Sequence, residues 1–197
     1  MRAIHFGCVK GAATIAAALL FAVWANVASA QKPLTILGLK IPDRVGGLPH
    51  GKVHDYESTN KGLGYSIPFE SRGWSIDVYL YDFGMRSIPD DPQAEVVTKH
   101  LKQAKGDVFE LERRGYYAEV VDKGDYNIAR KGRTRFICST FGYIHKQMNA
   151  KVDSYLCLTS WHNKFFKIRM TTPQSATSNA EATKFVESWI DLLWPSS

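Results

Sequence analysis

The segment Trp74–Phe83 is apolar on both sides: Trp74, Ile76, Val78 and Leu80 share one face of a strand, and Tyr79, Tyr81 and Phe83 share the other. Side chains of a strand alternate in direction, so a strand of this kind belongs in a sheet covered on two faces. Two amphipathic helices are available to cover it. The first is expected to start at Asp91 as N-cap with Pro92 at the first helical position, and to stop at Gly115. Its buried stripe is Val97, Leu101, Ala104, Val108 and Leu111, and Gly106 predicts a bend or break. The second carries a capping box, Ser178 with Glu181, then the stripe Ala182, Phe185, Val186, Trp189, Ile190 and Leu193, and ends at Pro195.

The remaining pattern is antiparallel. Residues 70–73 turn Tyr65–Phe69 into Trp74–Phe83. Asp122-Lys123-Gly124-Asp125 is read as a hairpin turn between Tyr116–Val121 and Tyr126–Lys131. Thr134–His145 turns near Met148 into Ser154–Trp161, and His162-Asn163-Lys164 turns that strand into Phe165–Thr171. Pairing Ile137 with Leu158 places Cys138 opposite Cys157, which predicts a disulfide, the alternative being two buried thiols. Pairing Leu158 with Ile168 aligns Leu156 with Met170. The order β-β-α-β-β-β-β-β-α fits an α+β fold: one domain, an antiparallel sheet covered by helices, an α/β/α sandwich. We divide the chain into residues 1–30, an extended arm over 31–62 with one short strand near Leu34–Leu39, and the domain over 63–197.

Residues 1–30 read as a Sec signal peptide. Arg2 and Lys10 supply positive charge, Gly11 to Ala30 carry none, and Ala28-Ser29-Ala30 fits a signal peptidase. An uncleaved anchor is the competing reading, but the alanine-rich run is only weakly hydrophobic, so cleavage after Ala30 is expected. Cys8 precedes the apolar run and is no lipoprotein acylation site. Two of the 25 basic residues leave with the signal and all 19 acidic ones stay, so formal charge falls from +6 to +4. That mild excess does not point to nucleic acid. An oxidising compartment agrees with the paired cysteines.

Signatures of chemistry are sparse. The chain lacks Gly-x-Ser-x-Gly, His-Glu-x-x-His and Cys-x-x-Cys, and Gly62-Leu63-Gly64 lacks the third glycine and the helix of a dinucleotide loop. We assign no catalytic, cofactor-binding or metal residue and expect no cofactor. His50, His54 and Asp55 come nearest to a metal cluster, but Pro49 and Gly51 argue against the helical turn that would gather them. His100, His145 and His162 are read as surface residues. Arg130, Lys131, Arg133 and Arg135 form a basic hairpin tip that is either a solvated turn or a contact for anionic lipid, lipopolysaccharide or an acidic partner. Tyr79, Tyr81, Phe83, Phe136, Tyr155 and Trp161 form a binding surface if no helix covers their face, and core if one does. Tyr79 and Tyr81 join the basic tip as the candidate interaction surface.

The run Ile41-Pro42-Asp43, Gly46-Gly47-Leu48, Asp55-Tyr56-Glu57 and residues 62–67, followed by residues 78–82 and Ile88-Pro89-Asp90, resembles a family of uncharacterised exported bacterial proteins. The order of elements is similar to the PsbP/Mog1-like domains, which implies a binding or assembly role rather than an enzyme. The expectation is a periplasmic or secreted, non-catalytic binding or accessory protein of the cell envelope. Its partner would be an envelope protein or glycan, with no nucleic acid and no membrane span after cleavage. The alternatives are an apolar small-molecule or lipid carrier, using a cavity lined by the Tyr79/Tyr81 face, and an unrecognised hydrolase.

Overall fold

The computed structural model describes residues 34–71 and 73–195; the expected signal peptide lies outside them. Among the described residues, seven strands form one antiparallel sheet. In chain order the elements are β1 (Leu34–Ile36), β2 (Leu39–Ile41), β3 (Arg44–Val45), β4 (Leu48–Pro49), β5 (His54–Asp55), β6 (Tyr65–Ser71), β7 (Trp74–Tyr81), α1 (Glu95–Arg113), β8 (Tyr117–Arg130), β9 (Arg133–His145), β10 (Ala150–Trp161), β11 (Lys164–Pro173) and α2 (Ser178–Leu193). The sheet order is β5-β6-β7-β11-β10-β9-β8.

The two-faced pattern of β7 has the expected consequence. Ile76, Val78 and Leu80 enter one cluster with the α2 stripe Ala182, Phe185, Val186, Trp189, Ile190 and Leu193. Tyr81 enters a second cluster with Val97, Leu101, Ala104 and Val108 of α1, and Tyr79 packs at its margin. Each helix thus packs on the sheet in a cluster of its own, but Leu111, expected in the α1 stripe, is only part-buried and lies outside it. Residues 34–62, read as an arm, fold into the hairpins β1–β2 and β3–β4 and the edge strand β5. Ile36, Leu39, Ile41 and Val45 add to the α2 cluster, each at most 5% exposed. Gly64 lets this segment press on β7, because a Cβ there would lie 1.8 Å from the Leu80 carbonyl oxygen.

Several local readings are corrected. Asp122–Asp125 is no hairpin turn: β8 runs through it as one edge strand with bulges. Its charges are spent laterally, with Lys105 of α1 bridging Asp122 at 3.0 Å and Asp125 at 2.6 Å. Bulged, charged edges also resist pairing with other chains. The β10–β11 turn is two residues, not three. His162 (φ 47°) and Asn163 (φ 63°) occupy the left-handed positions of a type I′ turn, so Trp161 pairs with Lys164 and Cys157, rather than Leu158, faces Ile168. Helix α1 begins at Glu95; Asp91 instead accepts the Gln93 amide in a preceding turn, and Gly106 causes no break. The capping box does not form, because the Ser178 hydroxyl is bound to Asp153 of β10 at 2.6 Å.

Cys138 and Cys157 sit directly opposite each other on β9 and β10 and form the disulfide. Closing a loop of that length restricts the unfolded chain by about 3 kcal/mol. The pair Cys138→Ala/Cys157→Ala is expected to lower urea-unfolding stability by about that amount. Thiol titration of the unfolded, unreduced chain from Gln31 onward should find no free cysteine; two free thiols would contradict the bond.

Candidate functional site

Helix α1 packs across β8, β9 and β10. On the same side of the sheet, β7 and β11 present Asp77, Tyr79, Lys167, Arg169 and Thr171, all half-buried. Register places Lys167 opposite Tyr79 and Arg169 opposite Asp77. The Lys167 ammonium lies 4.6 Å from the Tyr79 ring centre and 5.2 Å from that of Tyr81. Arg169 donates to the Tyr117 hydroxyl at 3.2 Å, and Tyr117 stacks on Tyr143 with ring centres 4.0 Å apart. Neither Lys167 nor Arg169 forms an ion pair among the described residues.

This is an expensive arrangement for two cations. Removing an ammonium from water disfavours its charge, and nearby Arg169 adds repulsion, so Lys167 falls to about 8. Burial raises the phenols of Tyr79 and Tyr117 to about 12, with Asp77 adding to the effect at Tyr79. Burial also raises the Asp77 carboxyl against the opposing pull of Arg169. Contact with two tyrosine rings compensates Lys167 in part.

The residues singled out from sequence are distributed differently. Tyr81 is 4% exposed, and its hydroxyl meets His100 Nε2 at 2.5 Å, so it is packing rather than surface. His100, expected on the surface, is 9% exposed and is surrounded by Tyr81, Phe83 and Phe165. Phe136, Tyr155 and Trp161 belong to the α2 cluster on the opposite face from Tyr79, and Phe83 is 51% exposed beyond the end of β7. In the basic tip, Arg130 pairs with Asp191 at 2.6 Å and Arg135 lies 4.6 Å over the Trp194 ring; Lys131 and Arg133 remain exposed. His50 is buried beside Phe69 and His54 stacks on Tyr56. Among the described residues no three His, Cys, Asp or Glu side chains gather as a metal site, and no helix is long and apolar enough to cross a membrane.

A second polar cluster lies on the α2 side. Asp153 accepts Lys123 at 2.6 Å and Ser178 at 2.6 Å, and Tyr155 donates to Ser178 at 2.9 Å. Lys123 reaches inward across Gly142, where a Cβ would come within 2.7 Å of it. A cavity of about 460 Å³ opens beside this group, lined by Tyr126, Thr140 and Asn179 among others. Converging polar groups are what the hydrolase alternative requires. Among the described residues Asp153 accepts from both Lys123 and Ser178, so the amine is engaged by the carboxylate rather than by the hydroxyl. The geometry anchors the start of α2 to β8 and β10.

No protein-family model and no curated protein matches the chain. Among solved structures, it is similar to cyanobacterial PsbP (CyanoP) from Synechocystis sp. PCC 6803, at 8% identity and TM-score 0.43, over 76% of this chain and 83% of that one. It is also similar to the Ran-binding protein Mog1p of Saccharomyces cerevisiae, at 10% identity and TM-score 0.31, over 74% of this chain and 91% of that one. These are loose likenesses in the layout of elements.

Burial, with the positive charge of Lys167 adding to it, holds the His100 imidazole down at about 4. From pH 6.5 to pH 4 the unfolded chain therefore takes up a proton that the folded chain refuses, and stability falls as pH drops. His100→Gln removes that term. Urea unfolding at pH 7 and pH 4.5 should show the original chain losing about 2 kcal/mol more than the variant; equal losses would contradict a buried neutral His100.

Proposed function

We propose that this chain is exported by its first thirty residues, matures at Gln31, and serves in the periplasm or outside the cell as a non-catalytic binding or accessory domain of the envelope. Its fold, on this reading, is an α/β/α sandwich of the PsbP/Mog1-like kind. The observation that carries the binding role is the strip on β7 and β11, where Lys167 and Arg169 sit half-buried among tyrosines and form no ion pair among the described residues. Half-buried charge without a partner is costly, and sites of that kind serve recognition more often than stability. The envelope partner, protein or glycan, meets the domain there; Lys131 and Arg133 at the hairpin tip offer a smaller secondary contact.

A second reading is favoured by one feature. A cavity of about 380 Å³ beside α1 has an apolar wall of Phe83, Met85, Val96 and Phe165 and a polar rim of Glu95, Lys99 and Gln103, which suits an amphipathic ligand. Neither Tyr79 nor Tyr81 lines it, so it is not the cavity expected for a carrier from the sequence, although Phe83 and His100 of its wall pack against Tyr81.

Photo-crosslinking in the native cells separates these surfaces. A crosslinking residue is placed at Ser75 beside the strip, at Arg133 on the tip, or at Glu187 on the exposed side of α2. The expected result is a discrete adduct from Ser75, absent from Glu187, on a protein recovered outside the cytoplasm with Gln31 at its N-terminus. No adduct from Ser75, or a chain retained in the cytoplasm with residues 1–30 intact, would overturn the proposal.

A further inference from the structure

Building on the binding role just proposed, we infer that the strip formed by Tyr79, Lys167, Arg169 and Tyr117 is a site for an acidic saccharide, whose carboxylate takes Lys167 and Arg169 while its hydroxyls take the flanking polar groups.

The donor inventory points to an acceptor-rich ligand. The Lys167 ammonium rests on ring faces and has no oxygen partner among the described residues. Arg169 spends an N–H on Tyr117, leaving the rest of its planar fork free for a carboxylate. Tyr117 accepts that bond and so holds the Arg169 fork in place. Lys167 and Arg169 lie two residues apart on one strand face, so their Cα atoms are about 7 Å apart. A carboxylate can therefore contact both charges at once.

The neighbouring groups favour a sugar over an acidic peptide. Asp77 stands directly opposite Arg169, and Asp107 of α1 is near enough to act on Lys167. The strip thus offers two cations together with carboxylates at its margins. A ligand with isolated carboxylates separated by hydroxyls matches this, because hydroxyls donate to Asp77 while the carboxylate pairs with the cations. Successive glutamates would bring a charge against Asp77. Thr171 and Ser75 add hydroxyls on the same face. The main chain of β7 and β11 is paired on both sides within the sheet, so an extended peptide would find no backbone partners there.

The test is calorimetric titration of the purified protein with tetragalacturonate, galactotetraose and tetraglutamate. Tetragalacturonate is expected to bind, galactotetraose to give no heat, and tetraglutamate to bind at least tenfold more weakly. Lys167→Met and Arg169→Met should each weaken tetragalacturonate at least tenfold. Tyr117→Phe, which removes only the hydroxyl, should weaken it severalfold and serves if either cation variant fails to fold. Absence of tetragalacturonate binding at millimolar concentration overturns the inference, while the Ser75 adduct independently decides the broader binding role. Equal binding of tetraglutamate overturns the saccharide assignment. Binding that survives all three substitutions places the ligand elsewhere and also overturns it.

Discussion

A helix is about 10 Å across with its side chains, whereas seven strands spaced about 4.8 Å apart make a sheet about 29 Å wide. One helix cannot cover one face of such a sheet, and each face here carries one. The α2 face solves this with the N-terminal hairpins, whose Ile36, Leu39, Ile41 and Val45 extend the apolar cover. On the other face α1 lies over β8 to β10, and β7 and β11 are faced with Tyr79, Lys167, Arg169 and Thr171 instead. Amphipathic side chains can close a sheet surface by lying along it, but their charged ends then need water or a partner. The candidate site follows from that shortfall of cover.

The central architecture was readable because it rests on short-range patterns. The double apolar alternation of Trp74–Tyr81 matches the two apolar clusters to which its residues belong, and the 3.6-residue stripe of α2 matches its buried apolar residues. The Cys138–Cys157 bond followed from register, since the β9–β10 turn left Ile137 opposite Leu158. Turn length decides which face each strand residue takes. A three-residue turn at His162 shifted β11 by one position, and such a shift moves every side chain to the other face. In the observed register Phe166, Ile168 and Met170 join the α2 cluster while Lys167, Arg169 and Thr171 face the other way. That alternation is visible in the sequence, but it takes the two-residue turn at His162 and Asn163 to assign its faces.

Other misses come from interactions distant in sequence. Nothing local in Asp122–Asp125 distinguishes a turn from a bulged edge strand; the difference lies in Lys105, which arrives from α1 to hold two of its carboxylates. Ser178 and Glu181 have the spacing of a capping box, yet Asp153, 25 residues away, takes the hydroxyl. His100 reads as one polar residue on a helix until Tyr81 and Phe165 close around it. Buried polar groups are recruited by partners from other elements, and sequence spacing does not report those partners.

The candidate site depends on the state of one side chain. If Lys167 is held among tyrosine rings without a carboxylate partner, its ammonium is destabilised and its midpoint lies at about 8. Selective isotope labelling of lysine, with Lys167 assigned by its replacement with methionine, allows that midpoint to be followed by NMR from pH 6 to pH 11 in the absence of added anions. A midpoint near 8 is the expected result. A midpoint near that of a free lysine, about 10.4, would show Lys167 to be solvated or already paired, and would contradict the site.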